Sequence, residues 1–469
     1  MRPYMADYCL VSEGWFWSAC GGARVRGEFT AETGRNAEVR LAGRVADDPR
    51  VTVVHTATGS VVTSVSGDPA KDVAAFAPID LHGQLDSGEL VSLLSAQNHG
   101  PLGPQYVARV ALTGAHVSAG QLYSAVRFRI DDPRWTAHLA GSQNHIVPDD
   151  GSVLRVVASE ADRDEGVWLV YESAQPCPVR DLDSRVLAGC RALARLALDR
   201  PVQVRTIEVR ISQDGGWLPL RSRAYCAPDA GYGESLLPSA ELTVEKFAKW
   251  IALNGRLDGL ASAVDGLGEG TVQSQVLAGT SLVEGLHRRL PYKHSQFPAA
   301  SGSGCGRIKK AAREAAAVRA EDEMGMNPDL VRTAVHNAVC HFEDVGYRTR
   351  AQDITGQVTS AVPELAESVP DLAGKLMAAR SDIAHHLVLD EEKEPLAARI
   401  DRWVAISYVT PWLLLLLLLL LLLRLLLLLH AGIEPDTLHT ACLTSARFGY
   451  ARANVAAIAR DLGWLPAAE

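Results

Sequence analysis

The stretch CAPDAGYGESLLPSA, from Cys226 to Ala240, divides the chain into two textures. It is rich in Gly, Pro and Ser, which set turns and break regular structure, so 229–240 reads as a linker. Upstream, short β-branched or alternating segments are separated by Gly, Asp and Pro clusters. Examples are Ala37-Glu-Val-Arg-Leu41, Val51-Thr-Val-Val54, Tyr106 to Leu112, Ala125 to Ile130 and Val167 to Tyr171. Period-two alternation marks strands, and the pattern predicts a sandwich or a partly open barrel. One helix, Asp183 to Leu198, precedes a last strand pair over 202–211 and 217–222. Downstream the β-branched runs thin out. There 241–265, 270–290, 307–324, 328–345, 363–386, 395–430 and 435–463 read as helices, with 299–306 (AASGSGCG) as a flexible loop. The expected fold class is α+β and multidomain: a β-rich, sandwich-like domain over 1–228, then an all-α helical bundle over 241–469.

A chain of 469 residues is long enough for two or three domains with substantial cores. Its formal charge of -9 argues against a protein that coats nucleic acid, but leaves room for a small local basic site. The eight cysteines are scattered, with no Cys-x-x-Cys pair and no tight Cys/His cluster. Neither a structural zinc nor another cofactor is expected, and reduced thiols point to the cytoplasm. The first residues, MRPYMADYCLVSEGWFW, interrupt with acidic and aromatic side chains the apolar run that an export signal needs.

Leu413 to Leu423 is unbroken leucine, Arg424 interrupts, and Leu425 to Leu429 follow. Its length fits a membrane span, because about 20 apolar residues cross a bilayer. Against that, a charge inside the tract costs roughly 2.5–3.5 kcal/mol on insertion scales. Pro411 and Pro435 bracket it, and only Trp412 could serve as an aromatic anchor. A helix buried on all sides of a bundle or dimer core is the expected reading, since such a helix is apolar all round.

The chemistry concentrates in Arg380-Ser-Asp-Ile-Ala-His385. Arginine offers phosphate a planar fork of donors, and histidine exchanges protons near neutral pH. The same spacing occurs from Arg50 to His55 and from Arg289 to His294. The first follows a strand-like segment and the second lies beyond Pro291, so neither is expected on a helix. Arg380 to His385 ends a helix expected over 371–384, with five residues placing the two positions about 140° apart around the axis. Two such helices packed across a two-fold would gather two arginines and two histidines around one cleft. The same residues also fit a surface arginine and a capping histidine at a helix C-terminus. Gly302, Gly304 and Gly306 before Arg307, Lys309 and Lys310 could cradle a phosphate. No strand leads in, however, and Glu314, Glu321, Asp322 and Glu323 match the basic residues, so a solvated loop and helix face are expected.

Arg380-Ser-Asp-Ile-Ala-His385 resembles the Arg-polar-x-x-x-His signature of the HEPN domains, of the ApeA-like type that joins an anti-phage ribonuclease to its own N-terminal domain. Gly346-Tyr-Arg-Thr-Arg-Ala-Gln-Asp-Ile354 is similar to that family's preceding segment, and Ser281-Leu-Val-Glu-Gly-Leu-His287 to a stretch of its early helix. The leucine tract before Ala431-Gly432-Ile433 sits where the family places an apolar helix. In the first half, Glu13-Gly-Trp-Phe-Trp17, Val25-Arg-Gly-Glu-Phe29, Leu81-His-Gly83 and Gly114-Ala-His-Val117 resemble its N-terminal domain in their order.

The resemblance implies a HEPN helical bundle that dimerises, and metal-independent endoribonucleolytic cleavage used in abortive infection. A phage-derived trigger would act at the N-terminal domain, and no membrane would be involved. Arg380 would bind the scissile phosphate, His385 would transfer the proton, and Ser381, where the family usually has asparagine, would orient the site. His386 is the alternative proton carrier. RNA is implied because the attack uses the ribose 2′-OH. A non-catalytic HEPN-fold scaffold or RNA-binding module would share the fold without needing His385, and a membrane-anchored signalling protein would rest on the leucine tract alone.

Overall fold

The computed structural model describes residues 9–32, 35–45, 50–55, 59, 61–75, 77–99, 105–130, 132–158, 166–222, 235–267, 270–386, 410–461 and 465–466. It divides into two compact units, Met1–Gly259 and Leu260–Glu469, each described by itself.

The first unit opens with β1 (Cys9–Ser18), β2 (Val25–Glu32) and β3 (Ala37–Leu41), then a separate hairpin of β4 (Val51–His55) and β5 (Val61–Val65). Helix α1 (Pro69–Ala75) leads to β6 (Ile79–Leu85), β7 (Leu90–Asn98) and β8 (Gln105–Ala108). In β3, Ala37, Val39 and Leu41 are buried while Arg40 is exposed, the alternation of a half-buried strand. The strands run β7-β6-β1-β2-β3-β8, and β8 pairs back onto β7. Six strands thus close into a barrel around Phe16, Phe29, Val39, Leu81, Leu93 and Tyr106.

The sheet then continues through β9 (Val110–Thr113), β10 (Leu122–Ile130), β11 (His145–Ile146), β12 (Val153–Ala158), β13 (Val167–Pro178), β14 (Val204–Arg210) and β15 (Leu218–Ser222). Its full order is β11-β12-β13-β10-β14-β15-β9-β7-β6-β1-β2-β3-β8. Of the two arrangements expected for the β-rich domain, sandwich-like or partly open barrel, the strand order gives the barrel. One continuous antiparallel sheet closes at one end because β8 reaches both β3 and β7, so that part has no free edge. Closure needs close approach at Gly83, where an added Cβ would lie 2.4 Å from the Phe16 ring. Gly83→Ala is expected to lower the stability of this unit by about 1–3 kcal/mol, as overpacking does, read from its thermal or urea unfolding.

Within this unit lie α2 (Pro133–Thr136) and α3 (Val179–Asp181), the latter running through a π-helical turn, Leu182–Leu187, into α4 (Ala188–Leu198). Helix α5 (Val244–Leu257), capped by the Thr243 hydroxyl, packs on α4 and on β11 and β12. Trp250 Nε1 donates to the Gly189 carbonyl at 2.7 Å. Asn254 Nδ2 donates to the carbonyls of Ser184 and Arg185 at 3.1 and 2.9 Å, on the π-helical turn. The compact units consequently part at Gly259, where Asp258 and Gly259 take positive φ, and not at the expected linker 229–240. Of that linker, 229–234 lies outside the described residues, whereas Leu236 and Leu237 are buried.

The second unit contains α6 (Leu260–Asp265), α7 (Val272–Arg289), α8 (Gly302–Met324), α9 (Pro328–Val339), α10 (Tyr347–Ala361) and α11 (Glu364–Ser368). It continues with α12 (Leu372–His386), α13 (Thr410–His430), α14 (Pro435–Thr444) and α15 (Ala446–Asp461). Helix α8 begins at Gly302, inside the expected loop 299–306, because the Ser301 hydroxyl accepts the Gly304 N–H as an N-cap. The expected helix 363–386 is two helices: Asp371 takes a φ of 50°, and its carboxylate accepts the Gly374 N–H at 3.2 Å. Of the expected helix 395–430, residues 395–409 lie outside the described residues.

Helix α13 packs against α6, α7, α10, α12, α14 and α15. Leu419, Leu422, Leu423 and Leu425 to Leu428 are buried around nearly the whole helix circumference. Burial lowers the pKa of Arg424 to about 10, with Arg447 adding to the effect. Among the described residues no helix is long and apolar enough to cross a membrane.

Candidate functional site

The three segments that carry the sequence resemblance in the helical unit meet around one carboxylate. Glu284, facing inward from α7, accepts from Arg350 of α10 at 2.7 Å through Oε1 and from Arg380 of α12 at 2.9 Å through Oε2. Arg288, one turn along α7, reaches the same Oε1 at 3.2 Å and lies 3.8 Å from Asp344. Three guanidinium groups against two carboxylates leave an excess of one positive charge, in a chain whose formal charge is -9.

Arg350 is 5 % exposed and Arg380 40 %. One guanidinium is thus locked in the interior while the other retains access to solvent. The Arg380 guanidinium carbon also lies 4.6 Å from the centroid of the Tyr347 ring. Burial pushes the Tyr347 phenol pKa up, so at neutral pH this ring stays uncharged beneath the cation. The charge, orientation and partial exposure of Arg380 suit it to a phosphodiester oxygen, since guanidinium–phosphate pairs are charge-assisted and fork-like.

The α12 backbone carries all the site residues expected from sequence: Arg380, Ser381, His385 and His386. Ser381 is exposed. The side chains from Asp382 to His386 lie outside the described residues, so the position expected to carry the proton is located along α12 only. Position 385 is about 140° around an ideal helix from the position whose side chain meets Glu284. The two discarded spacings are not helix-borne: His55 ends β4, and His294 follows α7 in a non-helical segment.

A second polar cluster lies one turn beyond Glu284. His287 is fully buried, and its Nε2–H donates to Asp353 Oδ2 at 2.9 Å. The ring stacks on Tyr292 with centroids 4.6 Å apart, and His294 meets it edge-on at 5.8 Å. The Tyr292 hydroxyl donates to Gln357 Oε1, which His430 Nε2 approaches at 3.3 Å. Sequence reading assigned no role to His287, Tyr292, Asp353 or Gln357.

Burial lowers the pKa of His287, outweighing the opposing pull of Asp353, and burial also lowers that of His430. A depressed histidine pKa means that the unfolded chain binds the proton more readily. Stability from these groups is therefore complete above the unfolded value near ~6.5 and is lost as pH falls below it. The helical unit is expected to melt at lower temperature at pH 5 than at pH 8, and His430→Gln should shrink that difference.

Three of the four N-terminal segments singled out in the sequence also converge. Trp17, His82 and His116 cluster on the barrel, with the two imidazoles stacked at 4.6 Å and Trp17 edge-on to His116 at 5.1 Å. His82 Nε2 lies 3.1 Å from the Val117 carbonyl, and His116 Nε2 lies 2.9 Å from that of Gly83. The pair fastens the Gly114–Val117 loop to β6. That role is structural: rings and backbone satisfy one another.

No protein-family model, no curated protein and no solved structure matches this chain. Among the described residues, no group of three or more His, Cys, Asp or Glu side chains is placed to hold a metal ion.

Proposed function

We propose that the helical unit is a HEPN-type, metal-independent endoribonuclease of the ApeA-like kind, acting in the cytoplasm in abortive infection. The observation that supports this reading is the convergence of Glu284, Tyr347, Arg350 and Arg380, contributed by the three segments whose sequence resembles that family. Arg380 binds the scissile phosphate and stabilises the charge growing on its oxygens. His385 takes the proton from the ribose 2′-OH or returns one to the leaving 5′-oxygen, with His386 as the alternative carrier. Ser381, exposed beside the arginine, accepts or donates a hydrogen bond that orients phosphate. A homodimer through the helical unit completes the cleft, and the β-rich unit receives a phage-derived trigger.

A second reading is favoured by one specific contact. Glu284 already occupies donors of Arg380, as it would in a non-catalytic HEPN-fold scaffold or RNA-binding module. Growth assays separate the two. Expression of the wild-type chain with its trigger should arrest growth, and Arg380→Ala or His385→Ala should relieve the arrest. A double variant as toxic as wild type would remove the nuclease reading and leave the scaffold.

A further inference from the structure

Strands β12, β13, β10, β14 and β15 are hydrogen-bonded neighbours in that order. On them Phe128, Leu154, Leu169 and Val209 are buried, and Arg127, Arg155 and Glu208 half-buried, so alternation directs charge to one face. There Arg127 lies opposite Val170 and Glu208, Ala125 opposite Glu172 and Arg210, and Arg155 opposite Val170. The five strands hold six arginines, two glutamates and no lysine: Arg127, Arg129, Arg155, Arg205, Arg210 and Arg221 against Glu172 and Glu208. Six less two leaves four positive charges on these strands, in a chain whose formal charge is -9.

Two tryptophans order the arginines. The guanidinium carbon of Arg129 lies 4.3 Å from the centroid of the Trp168 ring, and that of Arg127 4.5 Å from Trp168 and 4.6 Å from Trp217. Arg210 lies 4.9 Å from Trp217, which completes a column in which cations and indole rings alternate. Glu208 accepts from Arg127 Nε at 2.6 Å, and Glu172 accepts from Arg155 at 2.7 Å and from Arg210 at 3.1 Å. These contacts fix the guanidinium planes, while the two carboxylates balance only two of the six cations. A column that merely stiffened the sheet would give Arg155, Arg205 and Arg221 no reason to be arginine. Neighbouring strands lie about 4.8 Å apart, so the arginines spread over about 19 Å.

Fixed guanidinium forks repeated over that distance suit a partner with regularly spaced phosphates. Indole and guanidinium planes also stack on bases, and Trp217 is half-buried and keeps access to solvent. An acidic peptide would match the charge but offers Trp217 no base. We propose that this face of the first unit binds single-stranded nucleic acid, its phosphates on the arginines and a base on Trp217. The inference concerns the β-rich unit alone and stands whether or not the helical unit cuts RNA.

The test is fluorescence anisotropy of the full chain with a labelled oligodeoxythymidine of about 15 nucleotides, within the usual span of such sites. That strand lacks the 2′-OH, so cleavage of the proposed kind cannot consume it. The matching oligouridylate is read on the chain carrying both Arg380→Ala and His385→Ala. Binding of either strand should weaken as salt rises, with a log–log slope near about -3 from roughly four phosphates. Arg155→Ala should flatten the slope by about 0.7, one phosphate contact. Trp217→Leu should keep the slope and weaken binding about fivefold or more. Lys249→Ala, on α5, should change neither, and circular dichroism controls for folding. A chain that binds neither strand, or binds without salt dependence, overturns the proposal. So do Arg155→Ala and Trp217→Leu variants that bind as wild type does. A glutamate-rich peptide of equal charge that competes as well as the oligonucleotide also overturns it, and would make the partner an acidic protein.

Discussion

Glu284→Ala is expected to lower the stability of the helical unit by about 3 kcal/mol, the lower end of the range for breaking a buried ion pair. The large term comes from Arg350, whose guanidinium is 5 % exposed and would be left facing Arg380 with no carboxylate between them. Glu284 itself is 26 % exposed, and Arg380 can turn toward solvent, which keeps the loss from the top of that range. Glu284→Gln keeps an acceptor for one guanidinium and should cost less, and Glu284→Ala combined with Arg350→Met should recover part of the loss. Urea unfolding of the four proteins measures this. Equal stability of Glu284→Ala and wild type would mean that the carboxylate does not organise the cluster.

The second large effect concerns the proton carrier. His385→Ala is expected to lower RNA cleavage about 10²–10⁴-fold, the usual contribution of a positioned acid or base. His386→Ala should leave the rate within a few fold of wild type. Arg380→Lys is the matching test of the phosphate binder. It keeps a positive charge for Glu284 and so preserves the fold, but loses the planar fork, and cleavage should fall about 10²-fold or more. Single-turnover rates on one defined RNA measure all three. Loss with His386→Ala and not with His385→Ala would reverse the assignment.

Local pattern carried most of the architecture. Period-two segments such as Ala37-Glu-Val-Arg-Leu41 are strands, and the leucine tract from Leu419 onward is a helix buried among its neighbours. Sandwich and partly open barrel both fitted the alternation, and the choice between them was not legible, because closure depends on β8 pairing with both β3 and β7, a long-range choice that no local alternation records. The parting of the compact units at Gly259 rests on contacts of a related kind. Helix α5 carries an ordinary amphipathic pattern, and nothing local in it marks that Trp250 and Asn254 bind carbonyls on and beside a π-helical turn of the first unit.

In the site, Arg380 was visible from its spacing to His385, but its partners were not. Glu284 precedes it by 96 positions and sits in an apolar helix stretch where nothing local marks a shared carboxylate. A hint lay in the sequence itself: a glutamate beside Val283 and Leu286, both buried, must find a cation or remain unpaired in the interior.

The central claim is that this chain cuts RNA by 2′-OH attack, with Arg380 and His385 and no metal. The most direct measurement incubates the purified full chain, with chelator present, on one RNA and on the same RNA carrying a single 2′-deoxy nucleotide at the cleavage site. The account predicts cuts that leave a 2′,3′-cyclic phosphate and a 5′-hydroxyl, abolished by the deoxy substitution and by Arg380→Ala with His385→Ala. Cleavage that survives the deoxy substitution, or that the doubly substituted chain performs as well as wild type, would contradict it.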